Sequence, residues 1–200
     1  MGPERLPDRL VLASANPGKI TELVELLAEN DLGQHFAVEQ RPAGLADTIE
    51  DGVTLEANAT KKAVEVRDFT NSTALADDTG LFVDALDGAP GVRTARYAGE
   101  SATDADNVAK LLSELHGVEN RSARFRTVMA LARPDGELVL ATGEVEGVIA
   151  ASTMGDRGFG YDPVFVPNEG DGRAFAEMSL ADKQRISHRG RALRALVSQL

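Results

Sequence analysis

The segment VLASANPGKITEL, residues 11–23, constrains the fold more than any other part of the chain. An apolar, strand-like run gives way to the small and polar residues 14–18, and an amphipathic helical pattern follows from Lys19. Strand, short loop and helix in this order begin many α/β folds, and the backbone N–H groups at such a helix start favour an anion. A Walker A loop needs a second Gly and a Ser or Thr directly after the Lys, whereas this segment has only Gly18 and places Ile20 after Lys19. The segment therefore predicts either a phosphate loop of another kind or an ordinary strand–helix connection.

The rest of the chain alternates between helical and extended patterns and then changes to a hairpin. Helical patterns cover residues 19–29, 54–67, 104–115, a short stretch near 180, and about 187–200. Extended patterns cover residues 10–13, 36–39, 74–76, 81–86, 123–132 and 137–149, the last two joined by the turn RPDG. Residues 41–52 have a loop composition. These patterns predict an α/β fold with a mixed sheet, in one domain over residues 1–200 without a linker.

Two of the helical patterns predict which residues face the core. In the first helix the expected apolar stripe is Ile20, Leu23, Val24 and Leu27. In the second helix, for which Thr54 is the expected N-cap, the stripe is Leu55, Ala59, Ala63 and Val66. Thr103 is the expected N-cap of the helix over residues 104–115.

The charge of the chain excludes some classes of function. It has 21 Lys and Arg against 32 Asp and Glu, a formal net charge of -11. Proteins that bind duplex nucleic acid usually present a basic stripe, so nucleic acid is not an expected partner. The absence of Cys excludes disulfides and a thiolate nucleophile. The first ten residues lack an apolar signal core and no apolar run reaches membrane length, so we expect a cytoplasmic protein that does not contact a membrane.

The acidic segment ALADDTGL, residues 74–81, is a candidate for chemistry. We expect its carboxylates at the end of a buried strand, the edge at which α/β folds bind ligands. Because successive side chains of a strand point to opposite faces, only one of Asp77 and Asp78 is expected to face the ligand. A carboxylate there could hold Mg²⁺ and activate water, or it could be an ordinary turn or cap residue. Glu50, in the acidic loop, is a candidate second metal ligand.

The segment GFGYDPVF, residues 158–165, concentrates aromatic residues in a chain with only 4% of them. Phe159 or Tyr161 could stack on a planar ring, and Asp162 could accept a hydrogen bond from a ring N–H. Packing of both aromatic rings in the core is the alternative interpretation.

The segment KQRISHRGRAL, residues 183–193, places basic side chains around the start of the last helix. Lys183, His188 and Arg189 could donate to phosphate or carbonyl oxygens, with Ser187 as the N-cap. A solvated basic helix is the alternative. No pair of His has the spacing of zinc ligands, so zinc is not expected.

Six ordered segments together carry more information than any one of them. SANPGK, NA-xx-KA at 58–63, ADDTG, PGVRTARYAGE, FGYDP and SHRGRAL resemble, in this order, the inosine triphosphate pyrophosphatase family over about residues 10–193. The resemblance implies an elongated mixed sheet with flanking helices, two lobes around a central nucleotide cleft, and a homodimer. It also implies Mg²⁺-dependent hydrolysis of ITP, dITP and XTP to the monophosphate and pyrophosphate, which removes these nucleotides from the pool.

The resemblance also implies roles for single residues. Asp78 matches the catalytic base and a metal ligand, and Glu50 matches the second metal ligand. The residues that match phosphate-binding positions are Ser14, Ala15, Asn16, Pro17, Gly18, Lys19 and Lys62. Those that match the remaining substrate-binding positions, mainly for the base, are Thr79, Phe159, Gly160, Tyr161, Asp162, Lys183, His188 and Arg189. Ser14 stands where Thr is common and Thr79 where Ser is common, and both changes keep a hydroxyl.

Two other functions stay open at this point. One is a Maf-like nucleotide pyrophosphatase that acts on pyrimidine or modified nucleotides, against which the SHR segment and the FGYD loop argue. The other is a nucleotide-binding sensor without turnover, against which Lys19, Glu50 and Asp78 argue. Turnover of a nucleotide panel would distinguish all three.

Overall fold

The computed structural model describes residues 8–30 and 35–200. The strands within these ranges are β1 Asp8–Leu12, β2 Phe36–Gln40, β3 Thr73–Val83, β4 Pro90–Gly91, β5 Ser122–Ala132, β6 Leu138–Ile149 and β7 Phe165–Pro167. The helices are α1 Pro17–Ala28, α2 Leu55–Thr70, α3 Asp104–Glu114, α4 Leu180–Ile186 and α5 His188–Val197. No helix in these two ranges is both long enough and apolar enough to cross a membrane. Residues 1–7, part of the segment expected to lack a signal core, lie outside the described residues.

The strands form one mixed sheet of order β2-β1-β3-β5-β6-β7, with β4 paired to β3 beside this path. Strand β1 is parallel to both β2 and β3, whereas the pairs β3–β4 and β6–β7 are antiparallel. The predicted hairpin is β5–β6, closed by a turn in which the N–H of Arg133 donates to the carbonyl of Glu137 over 2.9 Å. The predicted α/β fold with a mixed sheet is therefore confirmed.

The chain divides into two compact units. Unit 1 comprises the residues up to Asp78, Val128–Ala141 and Leu193–Leu200, and unit 2 comprises Thr79–Thr127 and Thr142–Ala192. Strands β3, β5 and β6 each contribute residues to both units.

Helix α1 of unit 1 begins earlier than the periodicity predicted. Asn16 is its N-cap, accepting from the N–H of Lys19 over 3.1 Å, and Pro17 fills the first helical position, where a missing N–H costs nothing. The buried face differs from the predicted stripe, because Leu26 is 3% exposed whereas Val24 is 42% exposed. The prediction for Val24 was therefore wrong, since Leu26 rather than Val24 turns toward the core.

Helix α2 was predicted more closely. The hydroxyl of Thr54 accepts from the N–H of Ala57 over 3.1 Å, as expected of an N-cap. The helix continues past Arg67 to Thr70 and ends at Asn71, whose φ of 48° is left-handed. The whole predicted stripe, Leu55, Ala59, Ala63 and Val66, is buried.

Strand β3 differs from the prediction. It is one strand of 11 residues, so Asp77 and Asp78 lie within it and not at its end. The segment predicted as extended over residues 81–86 belongs to β3 up to Val83 and then forms a 3₁₀ turn, Asp84–Leu86. Buried carboxylates can continue a strand when cations and hydrogen-bond donors from elsewhere in the chain compensate them, and the sequence pattern did not show those partners.

Unit 2 has an aromatic core. The ring of Phe165 lies 4.7 Å from that of Phe125 and 5.2 Å from that of Phe175, centroid to centroid. Helix α3 packs beside them and starts with the predicted cap: Thr103 and Asp106 form a capping box.

Candidate active site

The loop between β1 and α1 has the backbone arrangement of an anion site. The hydroxyl of Ser14 accepts from the N–H of Asn16 over 3.2 Å, and Pro17 and Gly18 then open the helix. The N-terminal turn of a helix carries a partial positive charge that favours phosphate. A cavity of about 240 Å³ lies beside the loop, and Ser14 and Ala15 are among the residues that line it.

Lys19 and Asp77 form an ion pair beside this loop. The ammonium of Lys19 lies 3.2 Å from Oδ2 of Asp77, whose side chain is completely buried. The pairing explains how a charged Asp77 is accommodated inside unit 1, and it fixes the Lys19 side chain next to the loop that it was predicted to serve.

Both carboxylate oxygens of Asp78 accept hydrogen bonds from side chains. Oδ1 accepts from the ammonium of Lys62 over 2.9 Å, and Oδ2 accepts from the amide of Asn58 over 3.2 Å. The same ammonium lies 3.0 Å from Oε1 of Glu50, and Asn58 also accepts from the N–H of Gly52 over 2.9 Å. The two adjacent aspartates thus engage different lysines, as the alternation of a strand requires. We call Lys19, Glu50, Asn58, Lys62, Asp77 and Asp78 the unit-1 cluster.

The charges of this cluster shift one another's pKa values. Burial raises the pKa of Asp78, and the ammonium groups of Lys62 and Lys19 offset only part of that rise. Burial opposes the charged form of Lys62, but the negative charges of Asp78, Asp77 and Glu50 outweigh it and raise the pKa of Lys62. A carboxylate with a raised pKa is a better proton acceptor than an exposed one.

Two basic residues anchor the acidic loop that carries Glu50. Arg41 donates to the carbonyl of Leu45 over 2.8 Å, and Lys61 donates to the carbonyl of Ile49 over 2.8 Å. These bonds fix the loop backbone on both sides of the segment that leads to Glu50. Neither anchor was recognised in the sequence.

The donors of the unit-1 cluster suit a hard cation. Within residues 8–30 and 35–200, no three His, Asp or Glu side chains gather closely enough to hold a metal alone. Mg²⁺ does not require such a set, because it commonly binds one or two carboxylates together with substrate phosphates and water. The ammonium of Lys62 contacts both Glu50 and Asp78, at the place where a metal ion between the two carboxylates would lie. The carboxylates therefore fit an Mg²⁺ ion that is shared with a phosphate ligand.

A second group of predicted residues lies in unit 2. The ammonium of Lys183 lies 2.6 Å from Oδ2 of Asp162, and both side chains are about 95% buried. The same oxygen accepts from the N–H of Phe159 over 2.9 Å, which fixes the FGYD loop. We call Thr79, Phe159, Asp162, Lys183, His188 and Arg189 the unit-2 cluster.

Two cations face the ring of Phe159. The Lys183 ammonium lies 5.2 Å and the Arg189 guanidinium carbon 5.6 Å from the ring centroid. Arg189 is 1% exposed and donates to the hydroxyl of Thr79 over 3.2 Å, and that hydroxyl lies 2.7 Å from the hydroxyl of Thr127. Arg189 is thus a buried, hydrogen-bonded group and not part of a solvated helix face.

The remaining predicted residues of unit 2 have structural partners. Tyr161 is 3% exposed and its hydroxyl donates to the carbonyl of Thr94 over 3.0 Å, so its ring packs in the core and Phe159 is the candidate for stacking. The N–H of Gly160 donates to the carboxylate of Asp104 over 2.7 Å. The ring of His188 stacks on Phe125 at 4.5 Å.

Three residues of these networks were not predicted to have a role, whereas Asp77 was one of the two candidate carboxylates. Asn58 lies in the NA-xx-KA segment, so attention to every polar residue of that segment could have found it. Asp104 and Thr127 lie outside the six ordered segments and carry no local signal.

Comparison with known proteins gives consistent results. The profile of the Ham1 family matches residues 10–199. A protein of Desulforamulus reducens named dITP/XTP pyrophosphatase is 50% identical over 188 residues, which cover 93% of this chain and 92% of the relative. The solved HAM1 protein of Coxiella burnetii matches with a TM-score of 0.83 and 38% identity, covering 96% of this chain and 97% of that one. The solved nucleoside-triphosphatase, or dITP/XTP pyrophosphatase, of Mycobacterium abscessus matches with a TM-score of 0.71 and 41% identity over 94% and 97% of the two chains.

Proposed function

The chain belongs to the Ham1 family, and on that premise we propose that it hydrolyses the non-standard purine nucleotides ITP, dITP and XTP to the monophosphate and pyrophosphate. The observation that carries the proposal is the unit-1 cluster. This cluster contains two ammonium groups and a buried carboxylate of raised pKa, and the loop at the start of α1 lies beside it. These are the groups that phosphoryl chemistry with water requires.

The loop Ser14–Lys19 and the two lysines bind the triphosphate in this proposal. Backbone N–H groups at the start of α1 and the ammonium groups of Lys19 and Lys62 offset the negative charge of the phosphates. Lys19 is paired with Asp77 in the structure, so its side chain is already oriented before the substrate arrives.

Glu50 and Asp78 would hold the Mg²⁺ ion. A bound Mg²⁺ supplies positive charge that polarises the phosphoryl oxygens. Asp78 also accepts the proton of the attacking water, since its pKa is raised and Asn58 orients its second oxygen. No nucleophilic side chain is required, which agrees with a chain that lacks Cys.

The unit-2 cluster binds the base. Phe159 offers a ring face for stacking, and Lys183 and Arg189 are donors suited to the oxygen at C6 of hypoxanthine or xanthine. Asp162 is an acceptor suited to a protonated ring nitrogen. Adenine has an amino group at C6 and an unprotonated N1, so it does not match this pattern of donors and acceptor. Guanine shares both features with hypoxanthine, so its rejection must depend on the 2-amino group.

Turnover of a nucleotide panel tests the proposal. We expect ITP, dITP and XTP to be hydrolysed well, GTP poorly and ATP hardly at all, with pyrophosphate as the product and with activity lost in excess chelator. Release of orthophosphate alone, or equal rates with and without chelator, would contradict the proposal. Preference for pyrimidine nucleotides would favour the Maf-like alternative, and tight binding without any product would favour a sensor.

Two further parts of the proposal concern assembly and location. We propose a homodimer, which the family resemblance supports and which light scattering after size exclusion would test. We propose that the enzyme works in the cytoplasm, since its substrates belong to the nucleotide pool, and fractionation of the source cells would test this.

A further inference from the structure

The ammonium of Lys62 lies at a position that two carboxylates share. It is 3.0 Å from Oε1 of Glu50 and 2.9 Å from Oδ1 of Asp78, and only 8% of the Lys62 side chain is exposed. Asn58 donates its amide N–H to Asp78 and accepts the N–H of Gly52, two residues after Glu50. The Asp78 carboxylate and the backbone of the acidic loop are therefore held by contacts that do not depend on Lys62.

We propose that Lys62 occupies the cation position between Glu50 and Asp78 in the nucleotide-free protein, and that it must leave before a divalent cation can bind both carboxylates. The proposal rests on the proposed function, because it concerns the Mg²⁺ site of that function. It adds that Lys62 has two alternative partners, the carboxylates in the free protein and the phosphates in the complex.

Two physical arguments support the exchange. The ammonium lies within 3.0 Å of one oxygen of each carboxylate, so a cation held by both carboxylates in this arrangement would compete with it for the same position. A divalent cation beside a buried ammonium would also meet like-charge repulsion with little screening by solvent. An empty carboxylate pair would in turn repel itself, so the free protein keeps Lys62 in place until both a cation and phosphates are present.

The neighbouring Lys61 provides a matched control. It lies on the same helix and contacts the same acidic loop, through the carbonyl of Ile49 and the carboxylate of Asp51, each at 2.8 Å. It has no hydrogen bond to Glu50 or Asp78 among the contacts of the described residues. Lys61→Met therefore changes the net charge by the same amount as Lys62→Met without vacating the shared position.

The experiment measures Mn²⁺ binding to nucleotide-free protein by electron paramagnetic resonance of the free ion. If the ammonium occupies the position most of the time, only a small fraction of the protein has a vacant metal site, and the apparent metal affinity is multiplied by that fraction. Lys62→Met should therefore bind Mn²⁺ about 10-fold more tightly or better. Lys61→Met, which loosens an anchor of the acidic loop but leaves Lys62 in place, should not bind it more tightly than the wild type does. Lys62→Gln, which keeps a polar side chain without the charge, should repeat the result if the Met variant folds poorly.

The outcomes separate this inference from the proposed function. Unchanged or weaker Mn²⁺ binding in both folded Lys62 variants would overturn the inference, whatever the wild-type activity. Equal tightening in Lys61→Met would also overturn it, because the effect would then be general electrostatics. Tighter binding only in the Lys62 variants, with a wild type that does not hydrolyse ITP, would support the exchange and contradict the proposed function.

Discussion

The ammonium of Lys183 lies 2.6 Å from Oδ2 of Asp162, and both residues are almost completely buried. In the sequence these two residues were separate candidates for recognition of a base. The structure shows that they satisfy each other, so a ligand must bind to a pair that is already formed. The pair contributes to the order of the FGYD loop, because the same carboxylate accepts from the N–H of Phe159.

The pair gives the first prediction, which separates its structural role from its functional one. Asp162→Asn leaves the Lys183 ammonium buried without its carboxylate, and loss of one partner of a buried pair costs about 3–5 kcal/mol. Adding Lys183→Met removes the uncompensated charge, so the double variant should regain most of that stability. Urea unfolding of both variants measures the effect. ITP turnover should stay low in the double variant, and wild-type turnover there would show that the pair serves only the fold.

The second prediction concerns the role of Arg189 in selecting ITP over ATP. Arg189→Met keeps a long side chain at a position that is 1% exposed, so the fold should survive, but it removes the proposed donor to O6. A charged hydrogen bond of about 1.5–3 kcal/mol corresponds to roughly 10- to 100-fold in kcat/KM for ITP, and ATP should lose less. Arg191→Met, on the same helix but paired with Glu169, is the control. An equal loss for ITP and ATP would assign Arg189 to phosphate binding or to structure.

Asp78 gives the third prediction. Asp78→Asn keeps the shape of the side chain but removes the proton acceptor, so kcat should fall by about 100- to 10,000-fold. Stability should change little, because Lys62 keeps Glu50 as a partner. The raised pKa of Asp78 also means that its contribution to stability is present below the unfolded pKa and lost as the pH rises through the folded pKa. At neutral pH the ionised carboxylate of Asp78 therefore contributes no stability to the wild type that Asp78→Asn would remove.

Asp77→Asn is the matched control for that variant. It weakens the ion pair with Lys19 and leaves the carboxylate of Asp78 in place, so the effect should fall mainly on KM. Steady-state kinetics with ITP measure both variants. High kcat in Asp78→Asn, or an equal loss of kcat in both folded variants, would remove Asp78 from the role of base.

Gly143 gives the fourth prediction. A Cβ atom there would lie 2.2 Å from the backbone N of Ala192 and 2.2 Å from the carbonyl of His188, which belong to helix α5. Backbone atoms cannot move aside singly, so Gly143→Ala should shift the helix and lower the free energy of unfolding by about 1–3 kcal/mol. ITP turnover should fall too, because α5 carries Arg189. In Gly44→Ala the added Cβ would meet no heavy atom of the described residues within 4 Å, so this control should change stability by less than about 1 kcal/mol.

Local signals were sufficient to predict much of the fold. The caps Thr54 and Thr103 and the turn after β5 are short-range features, and each was found near its predicted position. The error over β3 had a different origin. Two adjacent aspartates are typical of a strand end, and the distant Lys19, Lys62 and Asn58 help to make them compatible with a strand interior.

The candidate site shows the same limit. Sequence motifs indicated which residue types carry the chemistry, because phosphate and metal binding need lysines and carboxylates in recognisable segments. They did not indicate the pairing within those segments. That Lys62 bridges Glu50 and Asp78, and that Tyr161 belongs to the core whereas Phe159 faces two cations, depends on tertiary contacts.

The last prediction concerns Tyr97 and Tyr161, the only two tyrosines of the chain. Because the chain also has no Trp, the absorbance of the protein near 295 nm in alkali reports these two phenols alone. Burial is the main cause that raises the pKa of Tyr97 well above the ordinary value of 10.0, and the hydrogen bond to Glu114 adds to it. Burial is also the main cause that raises the pKa of Tyr161 well above that value, and nearby acidic groups add to it. The folded protein should therefore show no phenolate at pH 10, whereas protein in urea should be about half ionised there. A raised pKa stabilises the native state below the unfolded value, and that stability is lost as the pH rises through the folded pKa, so the urea midpoint should fall above pH 10. Tyr161→Phe should leave one phenol that still resists ionisation. A native titration of both tyrosines near pH 10 would contradict the raised pKa of both hydroxyls.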